Sequence, residues 1–274
     1  MLTYRKQLKK HFIDVLGLAE LEKNTYTGFY TTVTNFSSDL MGFDNLQAGA
    51  LRPWEGTGSY YEEPHLASFL GRVNYTYDDR YVLTVNARTD ASSKFGANHK
   101  WGFFPSVSAA WNVSSEQFMK QITWIDNLKL RLGYGLAGNQ GGIDSYTTMN
   151  LVRPNGVAPV GNSPVVTYET LRNINPDLKW EVKHTFNAGF DVGFYGNRLL
   201  LSVNYYNSKT TDMLYNYRVS VPPFTYNTLL ANIGSMRNSG TEISVGITPL
   251  KTKDMELNIN ANITFQKNKL LSLN

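Results

Sequence analysis

The sequence contains no cysteine, and charged residues make up only 18% of its 274 residues. The lack of cysteine excludes disulfides, thiol catalysis and cysteine metal sites. No apolar run approaches the roughly 18 residues of a membrane-spanning helix, whereas a spanning β-strand needs only about 9 to 11. Basic residues exceed acidic ones by four without forming a large cluster, so the charge does not predict a nucleic-acid surface.

Recognisable catalytic and metal-binding motifs are also missing. The sequence has no G-x-S-x-G, H-E-x-x-H or P-loop pattern. Its four histidines, His11, His65, His99 and His184, have no metal-ligand spacing. We therefore predict that the protein is not an enzyme and carries no metal or cofactor.

Aromatic residues, at 13% of the chain, and 27 asparagines are abundant, a pairing that favours strands and loops over helices. From residue 66 onward, apolar residues recur at every second position, which places them on one face of a strand. The clearest case runs from Met255 to Phe265 without an exception. The pattern predicts strands at 69–77, 81–87, 103–111, 128–134, 186–194, 199–205, 243–247 and 255–265.

Residues 1–65 alternate weakly. A hairpin about Lys9 and Lys10 and a strand-like segment at 29–36 are expected, giving two more strands. The basic residues near the start precede a mildly apolar stretch at 12–19, but Asp14 interrupts it and no cleavage site follows, so we expect no signal peptide here.

Connections between the predicted strands alternate in length. Short turns are expected at 78–80, 195–198 and 251–254, and Ser114 with Gln117 predicts a capping box for a helical turn within 113–127. Long connections are expected at 91–102, 136–181 and 207–240. In an antiparallel up-and-down sheet, this alternation places all short turns at one end and all long loops at the other.

Aromatics gather near the short turns, as in the interfacial girdle of a membrane barrel; they are Tyr75, Tyr77, Tyr81, Trp111, Trp124, Phe194 and Tyr195. We therefore predict an all-β fold, an antiparallel up-and-down transmembrane β-barrel, here a partial one of about ten strands. A secreted carbohydrate-binding β-sandwich is the alternative, because its strands alternate in the same way.

The polar face carries six charges, expected to form ion pairs within the wall or to contact a solute: Arg72, Arg88, Asp90, Lys129, Arg131 and Asp191.

An ordered series of motifs resembles the barrel of the SusC/RagA-like, TonB-linked outer-membrane transporters. The series covers residues 66–270 most securely, within a barrel domain taken as 1–274. It comprises GRVNYTYDDRY at 71–81, RTDASSKFG at 88–96, WGFFPS at 101–106, AWN at 110–112, EQF at 116–118, LKLR at 128–131, YG at 134–135, GNQ at 138–140 and NPDLKWE at 175–181.

The resemblance implies location in the outer membrane, in contact with its lipid, and import of an oligosaccharide or peptide. The implied partners are the TonB complex and a SusD-like surface lipoprotein. The sequence shows no TonB box, no plug, fewer strands than the family's 22 and no terminal aromatic strand. We therefore expect an interior part of the barrel that does not transport by itself.

Ligand contact is expected at aromatic side chains of the long loops, because sugars stack on ring faces. Loop packing or contact with the lipoprotein is the competing interpretation of each ring. The candidates are Trp101, Tyr146, Tyr168, Tyr215, Tyr217, Phe224 and Tyr226.

Overall fold

The computed structural model describes residues 1–40, 42–53 and 56–273. Within them the strands are β1 (Leu2–Leu8), β2 (His11–Lys23), β3 (Tyr26–Thr31), β4 (Thr34–Phe36), β5 (Gly49–Leu51), β6 (Thr57–Glu62), β7 (His65–Tyr77), β8 (Tyr81–Ser92), β9 (Trp101–Asn112), β10 (Ile125–Asn139), β11 (Val152–Val160), β12 (Ser163–Thr170), β13 (Glu181–Phe194), β14 (Leu199–Arg218), β15 (Thr228–Lys251) and β16 (Glu256–Ser272). Short 3₁₀ turns occupy Gly42–Ala48, Val113–Ser115 and Gln117–Gln121. No helix in these described ranges is long and apolar enough to cross a membrane.

Ten strands form one antiparallel sheet, which we call the wall, in the order β1-β2-β7-β8-β9-β10-β13-β14-β15-β16. All eight strands predicted from the alternation lie in it, and the hairpin about Lys9 and Lys10 supplies β1 and β2. The prediction of about ten up-and-down strands is confirmed. Three two-stranded sheets, β3–β6, β4–β5 and β11–β12, lie in the long connections.

The predicted lengths of two long loops were wrong. Strands β14 and β15 contain 20 and 24 residues, so their connection shrinks to residues 219–227. Bulges between Thr210 and Leu214 offset the register, and Asp212 adopts a φ of 56° there. A bulge shifts the alternation by one residue, which hides the continuing strand from a search for period two. The loop predicted at 136–181 likewise contains the end of β10 and the β11–β12 hairpin.

Two local predictions also fail. The segment at 29–36 divides between β3 and β4, which pair with different partners outside the wall. The capping box does not form, because Glu116 is extended and separates Ser114 and Gln117 into two different 3₁₀ turns. The Ser114 hydroxyl instead contacts the Asn127 side chain at 3.5 Å.

The short-turn end carries the predicted aromatic band. Tyr77 stacks on Tyr81, and Tyr81 on Trp111, at centroid distances of 6.4 and 6.2 Å. Farther along, the rings of Trp124 and Phe194 are almost parallel at 5.6 Å. Glu116 joins this band to the turn, because Tyr81 donates a hydrogen bond to its carboxylate at 2.8 Å. That hydrogen bond is the main reason why the pKa of Glu116 is lowered.

The apolar face of the wall is uncovered. Side chains such as Leu132, Ile259 and Phe265 are more than half exposed. In the described part of the chain, no second large sheet packs against this face. A soluble β-sandwich buries its apolar face between two sheets, so the alternative fold is wrong. An apolar surface of this extent requires hydrocarbon around it.

Candidate transport site

The opposite face of the wall is polar and internally hydrogen-bonded. Arg131 on β10 donates to Asp191 on β13 at 2.9 Å and to Asn204 on β14 at 2.8 Å. Ser202 donates to the same Asp191 carboxylate at 2.7 Å. Gly189 lies directly opposite Arg131, and a Cβ at Gly189 would overlap the Asn204 amide oxygen. A network across three strands therefore depends on a glycine that leaves room for it.

A second polar group lies on β7 and β8. Arg88 contacts the Asp90 carboxylate at 2.8 Å and donates to the Ser68 hydroxyl at 3.1 Å. Arg72 donates to Asn86 at 2.7 Å. The expected ion pairing within the wall is thus found for Arg88 with Asp90 and for Arg131 with Asp191, while Arg72 binds an amide. These groups give the face a hydrated surface whose charges are largely neutralised in place.

An apolar cluster at the long-loop end fixes the loops against the wall. This loop-end cluster consists of Phe95, Phe104, Ile143, Leu178 and Trp180, all buried. The Trp180 ring lies 4.7 Å from Phe95 and 5.5 Å from Phe104, and its indole donates to the Lys100 carbonyl at 3.0 Å. Backbone pairing of β9 with β10 covers Ser106–Asn112 and Lys129–Gly135, so it ends before this cluster is reached. A Cβ at Gly138 would overlap the Phe104 ring.

Asparagine side chains attach the segment after β12 to the β14–β15 hairpin. Asn173 donates to the carbonyls of Tyr226 and Thr228 at 2.6 and 2.8 Å and accepts from two backbone amides. Asn232 bridges both backbone groups of Lys179 in the same way. Each amide thus satisfies backbone groups that a loop would otherwise leave unpaired.

A cavity of about 510 Å³, here called the mouth cavity, opens among the long loops. The ends of β2, β3, β6 and β7 line it together with the turns after β8 and β10. It combines two tyrosine rings, Tyr26 and Tyr60, both about half exposed, with carboxylates and the Lys94 ammonium. The Tyr60 ring lies over Gly28, where a Cβ would meet it. Rings beside charged groups suit a solute with both apolar and polar surfaces.

Glu63 organises the rim of this cavity. Its carboxylate accepts a hydrogen bond from Tyr61 at 2.5 Å and contacts Lys23 and His65 at 2.9 Å each. Hydrogen bonds from Tyr61, Lys23 and His65, in that order of effect, lower the pKa of Glu63 to about 2. The Glu63 backbone amide donates to the Tyr146 hydroxyl at 2.9 Å, which joins this rim to the loop after β10.

The seven aromatic residues predicted to bind ligand are not brought into one site. Trp101 lies on the apolar face of β9 and stacks on Phe69 at 6.2 Å. Tyr146 packs at the rim through Glu63, as described above. The other five belong to the β11–β12 and β14–β15 hairpins, which the hydrogen bond from Tyr226 to the Thr170 carbonyl joins; they are Tyr168, Tyr215, Tyr217, Phe224 and Tyr226.

Sequence reasoning missed Tyr26 and Tyr60, which line the mouth cavity. Both lie in residues 1–65, where the alternation is weak. Their pairing on β3 and β6 joins segments about 35 residues apart, which a local pattern does not reveal. The only local signal was a strand-forming composition, since Tyr26 stands between two threonines and Tyr60 precedes another tyrosine.

The fold and the polar face together define the wall of a membrane β-barrel. The profile of the family described as "TonB dependent receptor-like, beta-barrel" matches residues 4–272, and the chain belongs to this family. It is an outer-membrane protein of a receptor and transporter family and not an enzyme. The predicted resemblance to SusC/RagA-like transporters is thereby confirmed.

Two curated relatives show how much of such a protein the chain covers. It is 34% identical over 274 residues to TonB-dependent receptor P3 of Formosa agariphila, covering 99% of this chain and 27% of the relative. It is also 34% identical over 239 residues to TonB-dependent receptor SusC of Bacteroides thetaiotaomicron, covering 80% of this chain and 24% of SusC. The chain therefore spans about a quarter of the length of these relatives.

Solved structures agree with this assignment. The RagAB peptide importer in its closed-closed state superposes with a TM-score of 0.82 at 26% identity, over 99% of this chain and 29% of that one. The outer-membrane transporter YddB of Escherichia coli gives a TM-score of 0.59 at 12% identity, over 97% of this chain and 32% of YddB, which shows the shared fold alone.

Proposed function

We propose that this wall belongs to a TonB-dependent importer that takes up an oligosaccharide or a peptide across the outer membrane. The mouth cavity carries the proposal, because it combines exposed tyrosine rings and charged groups at the long-loop end of a barrel wall. The polar face beyond it offers a hydrated surface along which a released solute passes. RagAB is a peptide importer, which supports peptides as one ligand class.

The proposed partners follow from the same family. TonB supplies energy through a part of the protein other than this wall, and a SusD-like lipoprotein covers the long-loop end and retains the ligand. Five of the predicted aromatics, on the β11–β12 and β14–β15 hairpins, then contact either the ligand or the lipoprotein. We propose Tyr26 and Tyr60 as additional ligand contacts.

Uptake in cells tests this function directly. Cells expressing the complete protein are given fluorescent oligosaccharides and peptides, with and without functional TonB. We expect TonB-dependent accumulation of one class, and we expect Tyr26→Ala with Tyr60→Ala to reduce it by about tenfold, since ring contacts contribute roughly 0.5 to 1.5 kcal/mol each.

Tyr30→Ala is the matched control, because Tyr30 is in the same two-stranded β3–β6 sheet and equally exposed but does not line the mouth cavity. Equal uptake by the double variant and the control would remove the cavity from the ligand path. Accumulation that persists unchanged without TonB would contradict the proposed import mechanism.

A further inference from the structure

Four basic side chains face one another across the last four strands of the wall. In the sheet register, His184 on β13 lies opposite Lys209 on β14, Lys209 opposite Arg237 on β15, and Arg237 opposite Lys269 on β16. We call this line of residues the cation row. Directly opposed side chains in an antiparallel sheet have Cβ atoms only about 4.5 to 5.5 Å apart.

The cation row lies on the apolar, lipid-side face. Lys209 follows Tyr205 by four residues on β14, and Lys269 follows Phe265 by four on β16. The register is continuous through both intervals, so the alternation keeps each pair on the same side of the sheet. Tyr205 and Phe265 are both exposed on the apolar face.

The distance of the cation row from the apolar band places the row at the level of the lipid headgroups. Four residues of strand correspond to about 13 Å, or about 10 Å along the membrane normal at a strand tilt near 40°. The headgroup layer begins within several ångströms of the hydrocarbon edge. The row is at the long-loop end, because β13 begins and β16 ends close to it.

Three of the four side chains in this row have no partner within the part of the chain that the structure describes. Among the described residues, the side chains of Lys209, Arg237 and Lys269 form neither a hydrogen bond nor an ion pair, and all three residues are exposed. The nearby Asp212 carboxylate is engaged by Lys179 at 2.8 Å. Like charges placed directly opposite each other destabilise a sheet, so an external anion would stabilise this arrangement.

His184 is held in place for such a contact. Its Nδ1 forms a hydrogen bond of 3.0 Å with the Tyr134 hydroxyl. This contact leaves the other ring nitrogen available beside Lys209. Lys267, one alternation step nearer the apolar band, adds a further exposed ammonium at the β16 end.

We propose that the cation row binds the phosphate groups of lipid A in the outer leaflet of the outer membrane. The phosphate groups complement three closely spaced cations, and the acyl chains of lipid A would lie along the exposed apolar face below. The proposal requires only the outer-membrane location and not the identity of the imported ligand. A negative result for lipid binding would leave the outcome of the uptake experiment open. A negative result for uptake would likewise leave the lipid-binding proposal open.

The test compares lipid binding by the complete protein and by a Lys209→Gln, Arg237→Gln, Lys269→Gln variant. Detergent-purified protein is titrated with phosphorylated lipid A, and bound lipid is counted by native mass spectrometry. Each surface cation contributes roughly fivefold to binding of anionic lipid, so the triple variant should bind about 100-fold more weakly. Enzymatically dephosphorylated lipid A should bind the unmodified protein about as weakly.

Lys183→Gln is the matched control, because Lys183 precedes His184 and lies on the opposite face of β13. It should bind phosphorylated lipid A like the unmodified protein. Equal binding by the triple variant, or equal binding of dephosphorylated lipid, would overturn the proposal. Inorganic phosphate at millimolar concentration should not displace the bound lipid A. Complete displacement of the lipid would assign the cation row to free phosphate and would also overturn the proposal.

Discussion

Successive residues along β15 and β16 alternate between a lipid-facing and a water-facing environment. Val245 lies opposite Ala261, and Ile259 opposite Ile247, on the apolar face, whereas Asn260 lies opposite Gly246 on the polar face. A shift of one residue along the strand therefore exchanges a lipid-facing position for a water-facing one. One-residue alternation allows a stringent test of which side contacts lipid.

We expect Val245→Arg or Ile259→Arg in the complete protein to cost about 2 to 4 kcal/mol near the bilayer midplane, because a guanidinium would then lie in hydrocarbon. Asn260→Arg, on the hydrated side, should cost less than about 1 kcal/mol. Chemical unfolding in liposomes, followed by tryptophan fluorescence, measures these differences. Similar losses at all three positions would contradict the assignment of the two faces.

Glu63 makes the mouth cavity sensitive to acid. Its pKa of about 2 lies below the ordinary value of 4.5, so the folded loop favours the ionised carboxylate. Its stabilising contribution is complete above about pH 4.5 and is lost as the pH falls towards about 2. Amide exchange of residues 61–65, corrected for the intrinsic effect of pH, should rise in that window.

Glu63→Gln should show raised exchange already at neutral pH and should lose the acid dependence. Glu62→Gln, at the adjacent residue, should keep the behaviour of the unmodified protein. A pH profile that is identical in the Glu63 variant would show that other groups hold this rim.

At the scale of elements, the motifs of the family meet in two packed clusters. The DDRY, AWN and EQF motifs join at the short-turn end, where Arg80 and Tyr81 both contact Glu116. The KFG, WGFF, GNQ and NPDLKWE segments join in and around the loop-end cluster, where Phe104 packs against Trp180. These motifs therefore secure the two ends of the strands, while the candidate ligand contacts other than Trp101 lie outside them.

Gly138→Ala tests the loop-end cluster, because a Cβ there overlaps the Phe104 ring. We expect a loss of about 1 to 3 kcal/mol, typical of overpacking, and recovery of part of it when Phe104→Leu is added. Gly71→Ala is the matched control, since a Cβ at that strand glycine meets open space. Thermal unfolding of the unmodified protein, the two glycine variants, Phe104→Leu and the double variant measures the effect. A loss in the double variant equal to the sum of the two single losses would show that Phe104 is not the obstacle.

At the scale of the whole molecule, the wall has two edge strands, β1 and β16. In hydrocarbon, each unpaired backbone group of such an edge costs several kcal/mol. In water, the exposed apolar face and the open edges favour association. The polar and apolar faces of this sheet are therefore stable together only within a larger barrel in a membrane.

We expect the 274-residue chain, expressed alone, to aggregate in water and to remain dispersed only in detergent. Size-exclusion chromatography with and without detergent measures this directly. Amide exchange in detergent should be fast along β16, whose residues are all exposed, and slow in β13, which is paired on both sides. A monodisperse, detergent-free monomer would contradict the assignment of the apolar face to lipid.

The amino-acid pattern alone was sufficient to predict the ten strands of the wall, the facing of their side chains and the alternation of short with longer connections. Covalent geometry places successive side chains on opposite faces of a strand, so these features are local. The alternation fails at Asp212, where the bulge hides the upper halves of β14 and β15. The resemblance to SusC/RagA-like transporters added the transporter class, and it rested on the ordered series of motifs as a whole, not on any single segment.

The residues that share a site become apparent only in the folded chain. The pairing of β3 with β6, which brings Tyr26 and Tyr60 to the mouth cavity, depends on contacts between segments far apart in the chain. The cation row likewise exists only through the register of four strands, because Lys209, Arg237 and Lys269 are unremarkable in sequence. Register and loop docking are set by packing between distant residues, which no local period encodes.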